Sequence, residues 1–317
     1  MTDSNLNRAQ TFLGSAIIFM GIMGLLGWVT GLRVLASLHP DFIPMAAGTS
    51  LSFLALGSVL LIDLPKQKKW KRKIVSFIVG TISIYGFLNF LEYVSDVHLT
   101  LTNIVFPTTE RLRGFLVDRM SPVTGGLFFL SGLALEMRIW GNKGKGVTNV
   151  ITGVGLLTLS IGFVATLGYL YGTPLLYGSK IIPLAATTSL CFLLLGAGFI
   201  LMLGSENVFL KYIVGDSPRA QLLRGLIPTI VLAFLLDGFL DARVFSRLNL
   251  SGPLTSGLES IVFAVIVGAL AVRISHTIFR NASVQKKLCA RVKNVSAACS
   301  KMLRSASTAL HPTDESC

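Results

Sequence analysis

Four carboxyl side chains fall within or at the edge of strongly apolar stretches of the sequence: Glu92, Asp237, Asp241 and Glu259. A charged side chain at the centre of a bilayer costs at least about 2.5 kcal/mol, and less near the interface, so such a group normally faces the interior of a helix bundle. No Lys or Arg lies in the middle of the apolar stretches. Three states stay open: the acids are protonated, they pair with cations from loops, or they bind a cationic or polyol ligand.

Hydroxyl side chains recur at the start of three further apolar stretches, at 43–57, 120–132 and 182–196. Aligning these stretches brings three sets of residues into register: Gly57 with Gly132 and Gly196, Thr49 with Thr124 and Thr188, and Phe53 with Phe128 and Phe192. A fourth copy at 251–260 keeps Thr255 and Ser256 but loses the Phe and the Gly. Small and hydroxylated residues let membrane helices approach closely and hydrogen-bond to one another. A polar ring around an outward-opening site uses the same residues, and both interpretations stay open.

The stretches that precede these copies end alike, because their terminal aromatic residues align: Trp28, Tyr93, Tyr169 and Phe239. Such aromatic side chains are typical of the membrane–water interface. Prolines open the four copies and are predicted in the first helical turn, where a missing amide donor is tolerated: Pro44, Pro122, Pro183 and Pro253.

The candidate ligand-binding residues are the acids, hydroxyls and aromatic side chains predicted at one depth: Glu92, Asp237, Asp241, Glu259, Thr49, Ser50, Thr124, Thr188, Ser189, Trp28, Tyr93 and Tyr169. Nucleotide-binding and metal-ligand motifs do not occur, and the four histidines are scattered along the chain. We therefore expect no catalytic residue, no cofactor and no metal site.

The composition is that of a membrane protein. Apolar residues make up 52% of the 317 residues and charged residues only 14%, against roughly 25% charged residues in a soluble protein; the mean hydropathy is +0.70. Apolar runs of about 20 residues, the length that crosses a bilayer as a helix, are predicted at 11–31, 43–62, 74–94, 121–138, 147–171, 182–203, 222–241 and 254–275. We predict an all-α polytopic membrane domain over 1–275, with eight transmembrane helices arranged as four tandem helical hairpins.

The distribution of positive charge predicts the topology of these spans. Of the 28 Lys and Arg residues, 21 lie at the N-terminus, in alternate loops and in the C-terminal tail, and seven lie on the opposite side. By the positive-inside rule both termini are cytoplasmic. The net charge of +13 then serves topology and contact with anionic membrane lipid, and we expect no nucleic acid partner.

Several strings in their order resemble the multi-span N-terminal sensor regions of bacterial histidine kinases and diguanylate cyclases. They are GWVTGLRVLASLHPDFIPM, EYVSDVHLTLTNIVFP, RMSPVTGGLFFLSGLAL, GYLYGTPLLYGSKIIPLAATTSLCFLLLG and DSPRAQLLRGLIP, and the resemblance covers about residues 11–280. It implies a bacterial inner membrane and a last span that continues into a cytoplasmic output. Only 44 residues follow Arg273, fewer than a catalytic output domain needs, so we expect a protein that is not an enzyme.

The tail at 276–317 is predicted as a basic amphipathic cytoplasmic segment. Its apolar stripe has helical spacing: Val284, Leu288, Val292, Val295, Cys299 and Met302. Two placements stay open, on the anionic inner leaflet or in a coiled coil across a homodimer. The leading hypothesis is a sensor or signalling subunit whose residues 276–310 meet a cytoplasmic partner. A small-solute transporter and an output-less remnant of a sensor kinase are the alternatives.

Overall fold

The computed structural model describes residues 3–62, 67–95, 111–112, 115–116, 120–140, 144–172, 182–204 and 218–240, together with residues 257, 260–262, 264–269, 271–273 and 275. The helices in these ranges are α1 (Asp3–Thr30), α2 (Arg33–Ser37), α3 (Ala47–Leu61), α4 (Lys69–Ser95), α5 (Pro122–Trp140), α6 (Lys145–Leu170), α7 (Ala186–Met202) and α8 (Pro218–Leu240). A two-residue antiparallel pair joins β1 (Arg111–Leu112) to β2 (Phe115–Leu116). The predicted all-α class is confirmed for the described part of the chain.

Four of these helices are long and apolar enough to cross a membrane: α1 over Asn5–Thr30, α4, α5 and α6. The helices α3 and α7 have 15 and 17 residues, or about 22 to 26 Å at 1.5 Å per residue, which is less than the roughly 30 Å of bilayer hydrocarbon. The described residues within 254–275 are helical. The described residues therefore contain four helices that are able to cross a membrane, while the eight spans and their arrangement as four hairpins stay predictions.

The helices α3, α5 and α7 form the centre of the fold, and we call them the inner helices. Nine of 15, ten of 19 and 11 of 17 of their residues are buried. The outer helices are α1, α4 and α6; only six of 27 residues in α4 and six of 26 in α6 are buried. Large apolar side chains such as Phe19, Phe77 and Val164 are exposed on the outer helices, as expected for surfaces that face lipid.

Each outer helix packs against the inner helix that follows it, through a glycine at the same register position. A Cβ atom built on Gly21 would lie 2.9 Å from the Ser50 carbonyl oxygen. The corresponding distances are 2.6 Å from Gly86 to the Gly125 oxygen and 2.8 Å from Gly162 to the Ser189 oxygen. Glycine is needed at this position because a Cβ atom would meet the backbone of the partner helix, which cannot move aside. Two membrane helices approach this closely only where a side chain is missing.

Each outer helix also contacts an inner helix of a different pair: α1 contacts α7, α6 contacts α5, and α4 contacts α3. The three pairs α1/α3, α4/α5 and α6/α7 are thus joined in one closed cycle. The chain divides into two compact units; α1 to α7 belong to the first, and most of α8 belongs to the second.

Two helix starts differ from the prediction. The helices α3 and α7 begin at Ala47 and Ala186, so Pro44 and Pro183 precede the first turn instead of lying in it. Of the three aligned prolines that the structure describes, Pro122 is the one that opens its helix. The residues before both helices are extended, with Ala46 at φ −61°, ψ 148°. Their backbone groups bond to other elements, which removes the need to extend the helix. Pro253 lies outside the described residues.

Candidate functional site

The inner helices meet at three phenylalanines that are fully buried. The centroid of the Phe53 ring lies 4.9 Å from the centroid of the Phe128 ring and 4.9 Å from that of the Phe192 ring. The centroids of the Phe128 and Phe192 rings are 5.1 Å apart. Each ring therefore contacts the other two at a distance typical of favourable aromatic pairs. The residues that the sequence places in register are thus brought to one point, the phenylalanine cluster.

The next turn toward the start of each inner helix carries the three aligned threonines. Thr49, Thr124 and Thr188 lie four residues before the phenylalanines, which places them on the same helix faces, and each is 2% exposed. A layer of threonine therefore covers the phenylalanine cluster. On the other side of the cluster, the next aligned side chains are Leu56, Ser131 and Leu195, all fully buried, so side chains fill the centre between the inner helices.

The two candidate serines are also buried, and their hydroxyl groups bond within the bundle. Ser50 donates to the Ala46 carbonyl at 3.2 Å, and Ser189 donates to the Ala186 carbonyl at 2.8 Å. The Thr166 hydroxyl of α6 donates to the Gly162 carbonyl at 2.7 Å and lies 3.3 Å from the Ser189 hydroxyl. These contacts agree with the packing interpretation of the hydroxyls, and a ligand that used the serines would have to replace them.

Two of the candidate aromatic side chains fasten the extended segments that lead into the inner helices. The Trp28 indole Nε1 donates to the Met45 carbonyl at 2.8 Å, and the Tyr169 hydroxyl donates to the Leu184 carbonyl. Met45 and Leu184 each lie four residues before an aligned threonine, so the two contacts are equivalent. Tyr93, the third aligned aromatic residue, is 38% exposed.

Of the four candidate acids, Glu92 is the one whose side chain the structure describes. It is partly buried, and its Oε1 atom is inaccessible to solvent. At the same register position α1 and α6 carry Gly27 and Gly168, which are both buried; a Cβ on Gly27 would lie 3.0 Å from that of Ala36 in α2. The sequence therefore places a carboxyl group where the equivalent pairs have only backbone.

The other three acids cannot be assigned to this place. Asp237 lies on α8, but its side chain is not among those that the structure describes. Asp241 and Glu259 lie outside the described residues altogether. The predicted convergence of the four carboxyl groups at one depth therefore stays a prediction. Within the described ranges, no group of three His, Cys, Asp or Glu side chains is arranged to hold a metal ion.

Three polar residues of the site were missed by sequence reasoning. Asn89 of α4 is buried, and its amide donates to the Tyr85 carbonyl at 2.8 Å. The Thr187 hydroxyl donates to the Ala36 carbonyl at 2.8 Å, which joins α7 to α2. Tyr85 packs against Gly48 across the α3/α4 contact. Extending the aligned register backward from Tyr93 would have flagged Asn89, which replaces Gly24 and Ala165 at its position.

Comparisons with protein-family models, with curated proteins and with solved structures find no match for this chain.

Proposed function

We propose that this chain is a non-catalytic sensor or signalling subunit of a bacterial inner membrane. In this proposal four tandem helical hairpins span the membrane and both termini are cytoplasmic. An external or membrane-dissolved stimulus acts on the outer halves of the hairpins, near Glu92 and the threonine layer. The last span and residues 276–310 relay the change to a cytoplasmic partner.

The observation that carries the proposal is the mutual contact of Phe53, Phe128 and Phe192 beneath the threonine layer. Close-packed interiors do not deform continuously, so small shifts at one place repack whole elements between discrete arrangements. A displacement of one helix pair requires the other two to repack, because each ring touches both others. Such a bundle converts a local event at one outer end into a concerted movement.

Two further features support the proposal. The strings quoted above resemble membrane sensor regions over most of the spanning part, and the last span leads into a basic tail that the positive-inside rule assigns to the cytoplasm. A stimulus shifts the balance of two arrangements only by its difference in affinity for them. Glu92 is partly buried and lies on α4, one of the helices joined in the closed cycle. In this proposal its surroundings change when the helix pairs move from one packing arrangement to the other.

The transporter alternative has less support from the described residues. Transport along the centre of the bundle needs a path, but the described centre is filled by the threonine layer, the phenylalanine cluster and the leucines beyond it. Uptake of labelled solutes into proteoliposomes that contain the full chain tests this alternative directly.

The test of signalling uses the full chain in its native membrane, with a photocrosslinking amino acid in place of Val292 in the tail. The crosslink yield to a cytoplasmic protein is measured while external pH, divalent cations and organic acids are varied one at a time. We expect the yield to change with at least one condition, and this dependence to vanish in the double variant Glu92→Ala, Glu259→Ala. The matched control is Asp41→Ala, an acid whose side chain is 71% exposed.

Two results would overturn the proposal. A crosslink yield that stays constant under every condition removes the sensing role, and solute uptake that requires the same residues assigns the chain to transport. If the double variant inserts normally and keeps the full response, the assignment of the stimulus to these acids is wrong.

A further inference from the structure

A crevice of about 400 Å³ lies between α5 and α6, away from the phenylalanine cluster. Its walls are apolar apart from Ser160, and they come from Val123 of α5, from Ile161, Val164, Ala165 and Tyr169 of α6, and from Leu184 before α7. Ser160 and Val164 are exposed. The crevice therefore opens on the flank of the bundle and not toward its centre.

Protein groups occupy the two contacts that are equivalent by register. At the α3/α4 contact the Tyr85 side chain packs against Gly48, the counterpart of Val123. At the α1/α7 contact the Thr187 hydroxyl bonds to the Ala36 carbonyl of α2, and Thr187 is the third counterpart of Val123. The crevice at the α5/α6 contact is thus a place where a cavity replaces a contact that the other two interfaces make.

One residue type in α6 contributes to the opening of this interface. Where α6 has Ile161, the aligned residue of α4 is Tyr85, whose ring packs against Gly48. The smaller Ile161 side chain leaves free at the α5/α6 contact the volume that the Tyr85 ring occupies at the α3/α4 contact.

We propose that this crevice binds an acyl chain of a membrane phospholipid. Both α5 and α6 are long and apolar enough to cross a membrane, so the exposed rim meets bilayer hydrocarbon. Apolar walls exclude a charged or strongly polar ligand, because its desolvation would have no compensating partner. The volume lies within the range of ligand sites in proteins. The inference rests only on the membrane-embedded part of the proposed function and needs no signalling partner.

The test uses the purified full chain in lipid nanodiscs that contain a phospholipid with a diazirine on its acyl chain. A second arm supplies a diazirine-labelled free fatty acid in nanodiscs of unlabelled lipid. Photolysis and peptide mass spectrometry then locate the adducts. We expect adducts in the phospholipid arm to concentrate on residues 160–169 of α6 and on Val123. Adducts at these residues from the free fatty acid arm alone would overturn the proposal.

The variant Ser160→Phe adds an aromatic ring at a residue that lines the crevice and is designed to fill it. We expect it to lower the adduct yield about tenfold, as the loss of a buried part of the chain implies. The matched control is Leu157→Phe, an exposed position on α6 that does not line the crevice. Val164→Trp is a second filling variant if Ser160→Phe does not fold.

The proposal fails if adducts are as frequent at Leu157 as at the crevice, or if neither filling variant lowers their yield. Such a result leaves the signalling proposal untouched, because the crosslinks measured there are to a protein and through the tail. Conversely, loss of stimulus-dependent signalling does not alter the lipid adducts expected here.

Discussion

Gly86 of α4 and Gly125 of α5 face each other so closely that a Cβ atom on Gly86 would lie 2.6 Å from the Gly125 carbonyl oxygen and 2.8 Å from the Phe128 Cβ. The same contact occurs through Gly21 in the α1/α3 pair and through Gly162 in the α6/α7 pair. The obstacle is backbone in every case and cannot rotate away. The absence of a side chain at this one register position therefore sets the separation of the helices in all three pairs.

We expect Gly86→Ala to destabilise the protein by about 1–3 kcal/mol, the usual cost of overpacking a well-packed interior. The measurement is SDS-driven unfolding of the full chain in mixed micelles, followed by circular dichroism. Gly80→Ala on the same helix is the control, since its Cβ would meet only the Glu136 Oε1 atom at 3.6 Å; it gains up to about 1 kcal/mol of helix propensity. Equal effects of the two changes would contradict this account of the contact.

The phenylalanine cluster gives a second prediction. Phe128→Ala removes a fully buried ring that contacts two others, and we expect a loss on the order of 2 kcal/mol, mostly from packing because lipid itself is apolar. Phe77→Ala, at a position 77% exposed on α4, should change the same unfolding midpoint little. A double-mutant cycle between Phe53 and Phe192 should show coupling of about 0.5–1.5 kcal/mol, and additive effects would mean that the rings do not act together.

The aligned aromatic residues give a third prediction, with an internal control. Trp28→Phe and Tyr169→Phe keep a ring but leave the Met45 or the Leu184 carbonyl without its donor, which we expect to cost about 1 kcal/mol each. Hydrogen exchange at the extended segments before α3 and α7 should rise in parallel. Tyr93→Phe, at the aligned exposed position, should leave both stability and exchange unchanged. A similar loss in all three variants would assign the effect to the interface with lipid.

Much of the architecture follows from apolar length and register. In the described part of the chain, helices lie at seven of the predicted spans, and the described residues within the eighth, 254–275, are helical as well. A helix satisfies all the backbone groups of such an apolar run within the run itself, as lipid requires. The alignment of Phe53, Phe128 and Phe192 correctly grouped three residues that meet in space. Residues that share a register position lie at the same height along the bundle. Residues at the same height on neighbouring helices can contact one another.

Register alone does not say which helix face points to the centre or how one pair contacts another. The Tyr85 contact with Gly48 and the Thr187 bond to Ala36 join different pairs, so no feature within a single repeat indicates them. Pro44 was assigned to a helical turn from propensity, whereas the Trp28 bond to the next residue, Met45, holds this segment extended. In these segments the conformation follows from contacts between elements and not from the local propensity of the sequence.

A chain of two hydrogen bonds links α4 to α5 near the start of α4 and gives the fourth prediction. The Trp140 indole donates to the Ser76 hydroxyl at 2.8 Å, and that hydroxyl donates to the Glu136 Oε2 atom at 2.7 Å. Ser76→Ala removes both bonds, one of them to a carboxyl group, and we expect a loss of about 1.5–3 kcal/mol in the SDS unfolding assay. Ser76→Thr, which keeps the hydroxyl, should restore most of it. The control Ser58→Ala removes only a bond within α3, to the Leu54 carbonyl. A loss as large as that of Ser76→Ala would show that any half-buried serine has this effect and that the link between α4 and α5 has no particular role.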